Sequence, residues 1–414
     1  MQRENMLKLF ALGAAGVPID TLSDFDFHEV MHLAIEQGVW QLVLAGVKTA
    51  VQNGDILLQN EEDITLFHEL HKQMLASCIK QDRQHAGILN VINQIREKGI
   101  PCCVLKGAIF AALYKNPACR ISGDVDVLVP EKDEDRVLSV FRENGFTVGV
   151  RAQSSNHDKC YSEELGMVEV HVSLYYGIMQ DVWFDNVEMM TEPFREQDGM
   201  QTLGITDGYL FTLLHTVKHF LSNRLWVKQI MDVLLYEMHY KDQIDFERVD
   251  KVLMHLKYKE FSDTLKGFGV LYFGLNREDF RPFSFDESKA ERILKDVFQP
   301  GKKKADRQFF EVYNACRYST FKNGDFNRFM TDWRRDNVKK AMSFSRKNMY
   351  IRYPYAAKKH LLLPLAWINH LYVIAKTGFK RFSLVKQSVK YSVPETDTEQ
   401  TKKRLEMFKD FDMI

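Results

Sequence analysis

The sequence predicts an α+β protein in which a mixed β-sheet is flanked by N-terminal helices and followed by a large C-terminal α-helical region. Three observations predict it. Apolar residues recur at three- and four-residue spacings up to about residue 98, short β-prone runs and two-residue alternation replace them between residues 100 and 174, and the helical period returns from Thr206. The expected divisions are a helical region 1–98, an α/β domain 99–204 and a helical region 205–414.

In the first region Phe67, Leu70, Met74 and Leu75, then Ile88, Leu89, Ile92 and Ile95, mark helical faces, and Gly99 stops the last helix. Ile100 to Leu105 is a short apolar run ending at Lys106-Gly107, which reads as a buried strand turning into a helix over Ala108 to Tyr114. Asp124 to Val129 alternates acidic and apolar before becoming wholly apolar, and Pro130 closes this second strand. An amphipathic helix follows from Asp133 to Asn144, stopped by Gly145. Phe146 to Val150, His157 to Tyr161 and Met167 to Leu174 complete a β-α-β-α-β-β-β order, the last with Val168, Val170 and Val172 alternating against Glu169, His171 and Ser173. Thr206 or Asp207 is the expected cap of the next helix, with Tyr209, Leu210, Leu213 and Leu214 on its apolar face.

Composition bounds the class. The 414 residues allow two or three domains, and 45% hydrophobic with 27% charged residues excludes collagen-like, low-complexity and wholly disordered chains. Formal net charge is zero, so no global field draws the molecule to a polyanion. Charge is nevertheless segregated: residues 301–390 hold 21 Lys/Arg against 5 Asp/Glu, or +16, leaving −16 elsewhere. Such a block is either a solvated helical surface or a face for a membrane, a nucleic acid or a phosphorylated substrate. Six cysteines without C-x-x-C spacing point to reduced thiols and a cytoplasmic location. Met6 to Leu12 reads as a helix rather than a secretory segment, because Glu4 precedes it and Lys8 interrupts it. No run of about 18 apolar residues exists to span a bilayer. Leu361 to Ala375, broken by Pro364 and flanked by Lys358, Lys359, Lys376, Lys380 and Arg381, reads as a buried helix or as an interfacial one peripheral to anionic lipid.

The most informative residues are Asp124 and Asp126. A two-residue step on a strand points both carboxylates to one face, where they repel unless a divalent cation neutralises them. Mg²⁺ prefers such oxygens together with substrate phosphates, and Glu169 on a neighbouring strand offers a third. Two metals held by three carboxylates suit in-line phosphoryl or nucleotidyl transfer. Lys106-Gly107 lies upstream at a strand-to-helix turn, where glycine lets a phosphate approach the backbone and a helix N-terminus offers N–H donors. Arg120 and Ser122 sit immediately before the acidic strand, and Arg120 suits either a phosphate or a salt bridge to Asp124 or Glu131.

These residues resemble the polymerase-β-type nucleotidyltransferases, whose motif is a helix-opening glycine pair, Asp-x-Asp on a strand and a third acid on another strand. Gly107, Asp124, Asp126 and Glu169 match it, although Ala108 stands where the superfamily has Gly or Ser. Leu105 to Ala108, Arg120 to Val129 and Val168 to His171 are more narrowly similar to an uncharacterised nucleotidyltransferase-like family found in bacteria. Leu214-His215-x-x-x-His219, Leu225-Trp226 and Asp232-Val233 fit that family's helical region, so the resemblance covers roughly residues 25 to 250. It implies a polymerase-β-like domain in which Asp124, Asp126 and Glu169 hold two Mg²⁺, with Mn²⁺ as the substitute. Lys106, Gly107, Arg120 and Ser122 would bind the nucleoside triphosphate, and a nucleoside monophosphate would pass to an unknown acceptor hydroxyl with release of pyrophosphate. The alternative is a catalytically silent scaffold that binds a nucleotide or a partner, peripheral to the membrane in one version.

Three histidines complete the expected cleft. His171 shares the face of Glu169 and suits substrate binding or proton transfer. His215 and His219 share a helix face, lack a third zinc ligand in the pattern, and suit the acceptor side, with Asp232 to orient one of them. Aromatic and basic residues from Phe326 to Tyr355 carry no nucleic-acid-binding motif, so nucleic acid is not the expected partner.

Overall fold

The computed structural model describes residues 1–58, 60–149, 157–174, 191–222, 225–299, 349, 353, 355–356, 360–372, 403–404 and 406–413. Two compact units divide the chain, Met1–Asp306 and Arg307–Ile414. The first opens with four helices, α1 (Gln2–Ala15), α2 (Phe27–Glu36), α3 (Trp40–Asn53) and α4 (Glu61–Glu97). Asn60 caps α4 by accepting from the Asp63 amide, and Glu61, Glu62 and Asp63 complement the positive end of its dipole.

Seven strands form one mixed sheet: β1 (Cys103–Val104), β2 (Asp124–Leu128), β3 (Thr147–Val148), β4 (His157–Ser162), β5 (Gly166–His171), β6 (Arg195–Gln197) and β7 (Met200–Thr202). Their spatial order is β3-β4-β5-β2-β1-β7-β6. Strand β2 is therefore central, parallel to β5 and antiparallel to β1. The α+β class and mixed sheet are as expected, and helix α6 (Glu134–Glu143) follows β2. One face of the sheet presents Val125, Val127, Cys160, Val168 and Val170, which pack with Ile88 and Ile92 of α4 and Val137 and Phe141 of α6. Fully burying each aliphatic side chain contributes about 1.5–3 kcal/mol, so strand register is held by this face, and the opposite face is left to polar groups.

Several expectations are corrected. Helix α5 is only Ala108–Ala111, shorter than the Ala108–Tyr114 expected, because Leu113 and Tyr114 donate one residue early, to Phe110 and Ala111, and Lys115 then donates to the Ala14 carbonyl at the end of α1. Strands β6 and β7 add a hairpin that was not expected, with β7 parallel to β1. Its turn is Asp198-Gly199, both at positive φ (49° and 75°), a pairing that suits a tight hairpin turn. Helix α7 is Ile205–Leu221, and Gly204 rather than Thr206 or Asp207 precedes it. The Glu192 carboxylate instead accepts from the Thr206 and Asp207 amides. Helices α8 (Val227–Tyr240), α9 (Phe246–Leu256), α10 (Lys259–Phe273) and α11 (Glu287–Val297) follow.

In the second unit Met349, Ala356, Leu363 and Ala366 pack together. The segment 363–372 is helical but only half-buried: Leu361, Leu365, Ile368 and Leu371 are exposed while Leu363, Ala366 and His370 are buried. Among the described residues no helix is long and apolar enough to cross a membrane. The end of the strand expected at Phe146 to Val150, most of the basic block 301–390 and Cys316 lie outside the described residues. Cys78, Cys102, Cys103, Cys119 and Cys160 are free thiols, and burial pushes Cys102 and Cys119 up to about 12, which disfavours their thiolate forms.

Candidate active site

The polar face of the sheet gathers the acids. Parallel register sets Asp126 of β2 beside Glu169 of β5, and antiparallel register sets Lys159 of β4 beside Glu169 and His157 beside His171. Because side chains alternate, all of these share one face with Asp124, and Asp124, Asp126 and Glu169 each offer an oxygen within 4.8 Å of the others.

The two aspartates have different surroundings. Asp126 is 1% exposed, with Oδ2 2.8 Å from Lys106 Nζ and Oδ1 2.8 Å from His171 Nε2. Burial pushes its carboxyl up, but Lys106 and His171 outweigh burial and hold it below the usual carboxylate range. Burial pushes Lys106 down, and Asp126 and Asp124 together outweigh that, so its ammonium persists. Asp124 is raised, first by burial and then by Asp126. One acid is thus neutralised by a direct ion pair, while for the other burial and its neighbouring carboxylates outweigh the charges of Lys106 and Lys228. Glu169 has Lys159 Nζ at 3.0 Å and His157 Nε2 at 3.4 Å, and burial lowers His157 to about 4.

Gly107 stands at φ 81°, ψ −112°, a conformation closed to residues with a Cβ, and opens α5. Arg120 holds this turn rather than facing solvent. Its guanidinium donates to the Gly107 carbonyl at 3.2 Å and, through Nε and an Nη, to both oxygens of Asp232 on α8 at 2.8 and 2.7 Å. Tyr114 also donates to Asp232 at 2.7 Å. The partner expected for Arg120 was a phosphate, Asp124 or Glu131. Its acidic partner in the structure is Asp232 in place of Asp124 or Glu131, and Asp232 bonds Arg120 and Tyr114 rather than orienting a histidine. Ser122 donates its hydroxyl to the backbone carbonyl of Asp124 at 2.8 Å, and Gln81 of α4 accepts from the Ser122 amide and donates to the Arg120 carbonyl. Arg120 and Ser122 therefore shape the approach to β2.

A pocket of about 190 Å³ opens between this strand and helices α7 and α8. Lys106, Asp124 and Ser122 line one side, while His215, His219 and Lys228 line the other. His215 and His219 lie Nε2 to Nε2 at 2.8 Å, and His215 is pushed well below the ordinary imidazole value by burial and then by Lys106, which favours its neutral form. Lys228 donates to the Ile121 carbonyl at 2.9 Å, and burial, followed by Arg120, lowers it to about 8.

Residues 23–265 match a family described as an uncharacterised nucleotidyltransferase. The chain belongs to that family. No match is found among curated proteins. The solved structures include the solution structure of the antibiotic-resistance factor ANT(2'')-Ia, at 12% identity over 42% of this chain and 90% of that one, with a TM-score of 0.32. A tRNA nucleotidyltransferase crystallised with a primer tRNA and an incoming ATP analog is similar at 11% identity over 73% of this chain and 100% of that one, with a TM-score of 0.21. The family match and the geometry, not these distant likenesses, carry the functional reading.

For this nucleotidyltransferase the structure brings together Lys106, Gly107, Asp124, Asp126, Glu169 and His171, and it places His215 and His219 across the pocket. It adds residues that sequence reasoning passed over. His157 and Lys159 were legible in principle, since pairing the two expected strands antiparallel sets them beside His171 and Glu169. Lys228 carried no local signal, because only the packing of α8 brings it to the pocket.

Proposed function

We propose that the chain transfers a nucleoside monophosphate from a nucleoside triphosphate to an acceptor hydroxyl and releases pyrophosphate. The observation that carries this is the convergence of Asp124, Asp126 and Glu169 on one sheet face beside a pocket flanked by Lys106 and Lys228. The donor set fits Mg²⁺: the three residues supply hard oxygens, and Asp124 sits raised by burial and by its neighbour, as a carboxylate does when a cation is wanted. Asp124, Asp126 and Glu169 would hold two Mg²⁺, or Mn²⁺ in their place. Bound there, the ions supply Lewis acidity to the α-phosphate and lower the pKa of the acceptor hydroxyl.

The remaining work falls to the chain. Lys106 and Lys228 offer ammonium charge to the phosphates, and Gly107 leaves space for their approach. His215, held neutral by burial, and His219 beside it suit hydrogen bonds to the hydroxyls of an acceptor. Attack forms the bond from the acceptor oxygen to the α-phosphorus and breaks the one to pyrophosphate, and the hydroxyl proton passes to the carboxylate cluster.

Calorimetric titration of the four ribonucleoside triphosphates, with and without Mg²⁺, tests this on wild type and on Asp124→Asn/Asp126→Asn. Mg²⁺-dependent binding of one triphosphate, abolished in the variant, is expected. Absence of binding to folded wild type would reject the transferase reading in favour of a catalytically silent scaffold. A second reading concerns location and rests on the exposed row Leu361, Leu365, Ile368 and Leu371 in a segment flanked by lysines: contact with an anionic membrane surface. Flotation with anionic vesicles, lost in Leu365→Glu/Ile368→Glu, is the expected result, and flotation that is absent in wild type refutes it.

A further inference from the structure

We propose that the outer side of Glu169 is a transition-metal site, formed with His157 and His171, that takes zinc-class ions and competes with the carboxylate site for Glu169. Strands β4 and β5 build it. Their register sets His157 directly across from His171, with the two rings 4.8 Å apart at 41° and Glu169 one alternation away on the same face. His157 Nε2 lies 3.4 Å and His171 Nε2 3.7 Å from the same oxygen, Glu169 Oε2, and the ligand atoms of the three residues fall within 4.8 Å of one another.

These separations discriminate between ions. Bonds of 2.0–2.1 Å in a tetrahedron set neighbouring donors about 3.4 Å apart, whereas the same lengths in an octahedron set them about 3.0 Å apart. The two nitrogen-to-oxygen distances lie at and beyond the tetrahedral value, on the side away from Mg²⁺. Donor type agrees: two imidazoles and a carboxylate suit Zn²⁺ or Co²⁺, while Mg²⁺ prefers an all-oxygen shell. Lys159, paired with the other Glu169 oxygen, has a side chain 57% exposed and can withdraw to water at small cost.

Competition follows from sharing. Glu169 belongs to both sets, and an ion on His171 Nε2 displaces the hydrogen bond that this nitrogen makes with Asp126 Oδ1. A zinc-class ion therefore removes the third acid and disturbs the second. The site itself needs no transferase chemistry; only the competition rests on the function proposed above.

The test uses the full chain, stripped of metal, with Co²⁺ as the probe. Wild type should give the intense visible absorption of tetrahedral Co²⁺, and Zn²⁺ should bleach it. His157→Ala and His157→Gln, checked for folding by circular dichroism, should weaken Co²⁺ binding by about 10- to 100-fold or more. Asp124→Asn should keep the spectrum. Absence of a tetrahedral spectrum in wild type, its persistence in both His157 variants, or its equal loss in Asp124→Asn overturns the site. Zn²⁺ should also weaken Mg²⁺-dependent triphosphate binding in wild type but not in His157→Gln. If it weakens both alike, the competition is refuted. A protein that binds Co²⁺ as stated but no triphosphate refutes the transferase reading and leaves the metal site standing.

Discussion

Replacing Arg120 with alanine removes a guanidinium that is 4% exposed and makes three hydrogen bonds, two of them to Asp232 and one to the Gly107 carbonyl. The carboxylate left behind keeps the Tyr114 hydroxyl and, one turn earlier on α8, the charge of Lys228 for compensation, with its side chain only 10% exposed. Breaking a buried ion pair from one side costs about 3–5 kcal/mol, and the lost stacking of Arg120 over Phe110 and Tyr114 adds to it. Asp232→Ala should cost a similar amount. Removing both charges together, as Arg120→Met/Asp232→Leu, leaves no uncompensated charge: the Gly107 carbonyl still accepts from the Ala111 amide and the Tyr114 hydroxyl keeps the Lys228 carbonyl at 3.4 Å, so the cost falls to about 1–3 kcal/mol. The double variant is therefore more stable than either single one. Equilibrium urea unfolding followed by tryptophan fluorescence measures all three, with Trp40 and Trp226 as reporters in the first unit. A loss under about 1 kcal/mol in Arg120→Ala, the size of an exposed pair, would refute the reasoning.

Gly107→Ala meets no obstacle nearer than 3.8 Å at its new Cβ, so its cost is torsional, about 1–3 kcal/mol, with weaker triphosphate binding; unchanged stability by urea unfolding would contradict the φ of 81°. Lys228, lowered to about 8 by burial and Arg120, offers a full charge to phosphates below that pH and loses it above. Its folded value lies below the ordinary 10.5, so the unfolded chain binds more protons between the two and this residue makes the fold more stable as pH rises across that window. Calorimetry with inorganic triphosphate should thus show affinity falling from about pH 7 to about pH 9 in wild type, and Lys228→Arg, which stays protonated, should flatten the profile. Identical profiles in the two proteins would remove Lys228 from phosphate binding.

Much of the centre was legible because strand geometry is a local property. Alternation along Asp124 to Leu128 and Met167 to His171 determines which side chains share a face, whatever lies around them, and so the three acids and His171 could be grouped from spacing. The Asp198-Gly199 pair is an equally local signal, for the extra hairpin. Local periodicity likewise located most helices, whose apolar faces need a core wherever it is.

What only the tertiary structure decided is the choice among partners that a sequence leaves equivalent. Arg120 could pair with any acid within its reach, and Asp232, 112 residues away, took it because α8 packs against the turn at Gly107. Lys106 neutralises Asp126 and leaves Asp124 raised, although the two acids are alike in sequence, because only Asp126 makes the direct ion pair with the ammonium and also accepts from His171. Spacing along the chain determines direction, and the field at a group, which comes from charges and burial summed over distant segments, is determined only when those segments fold together.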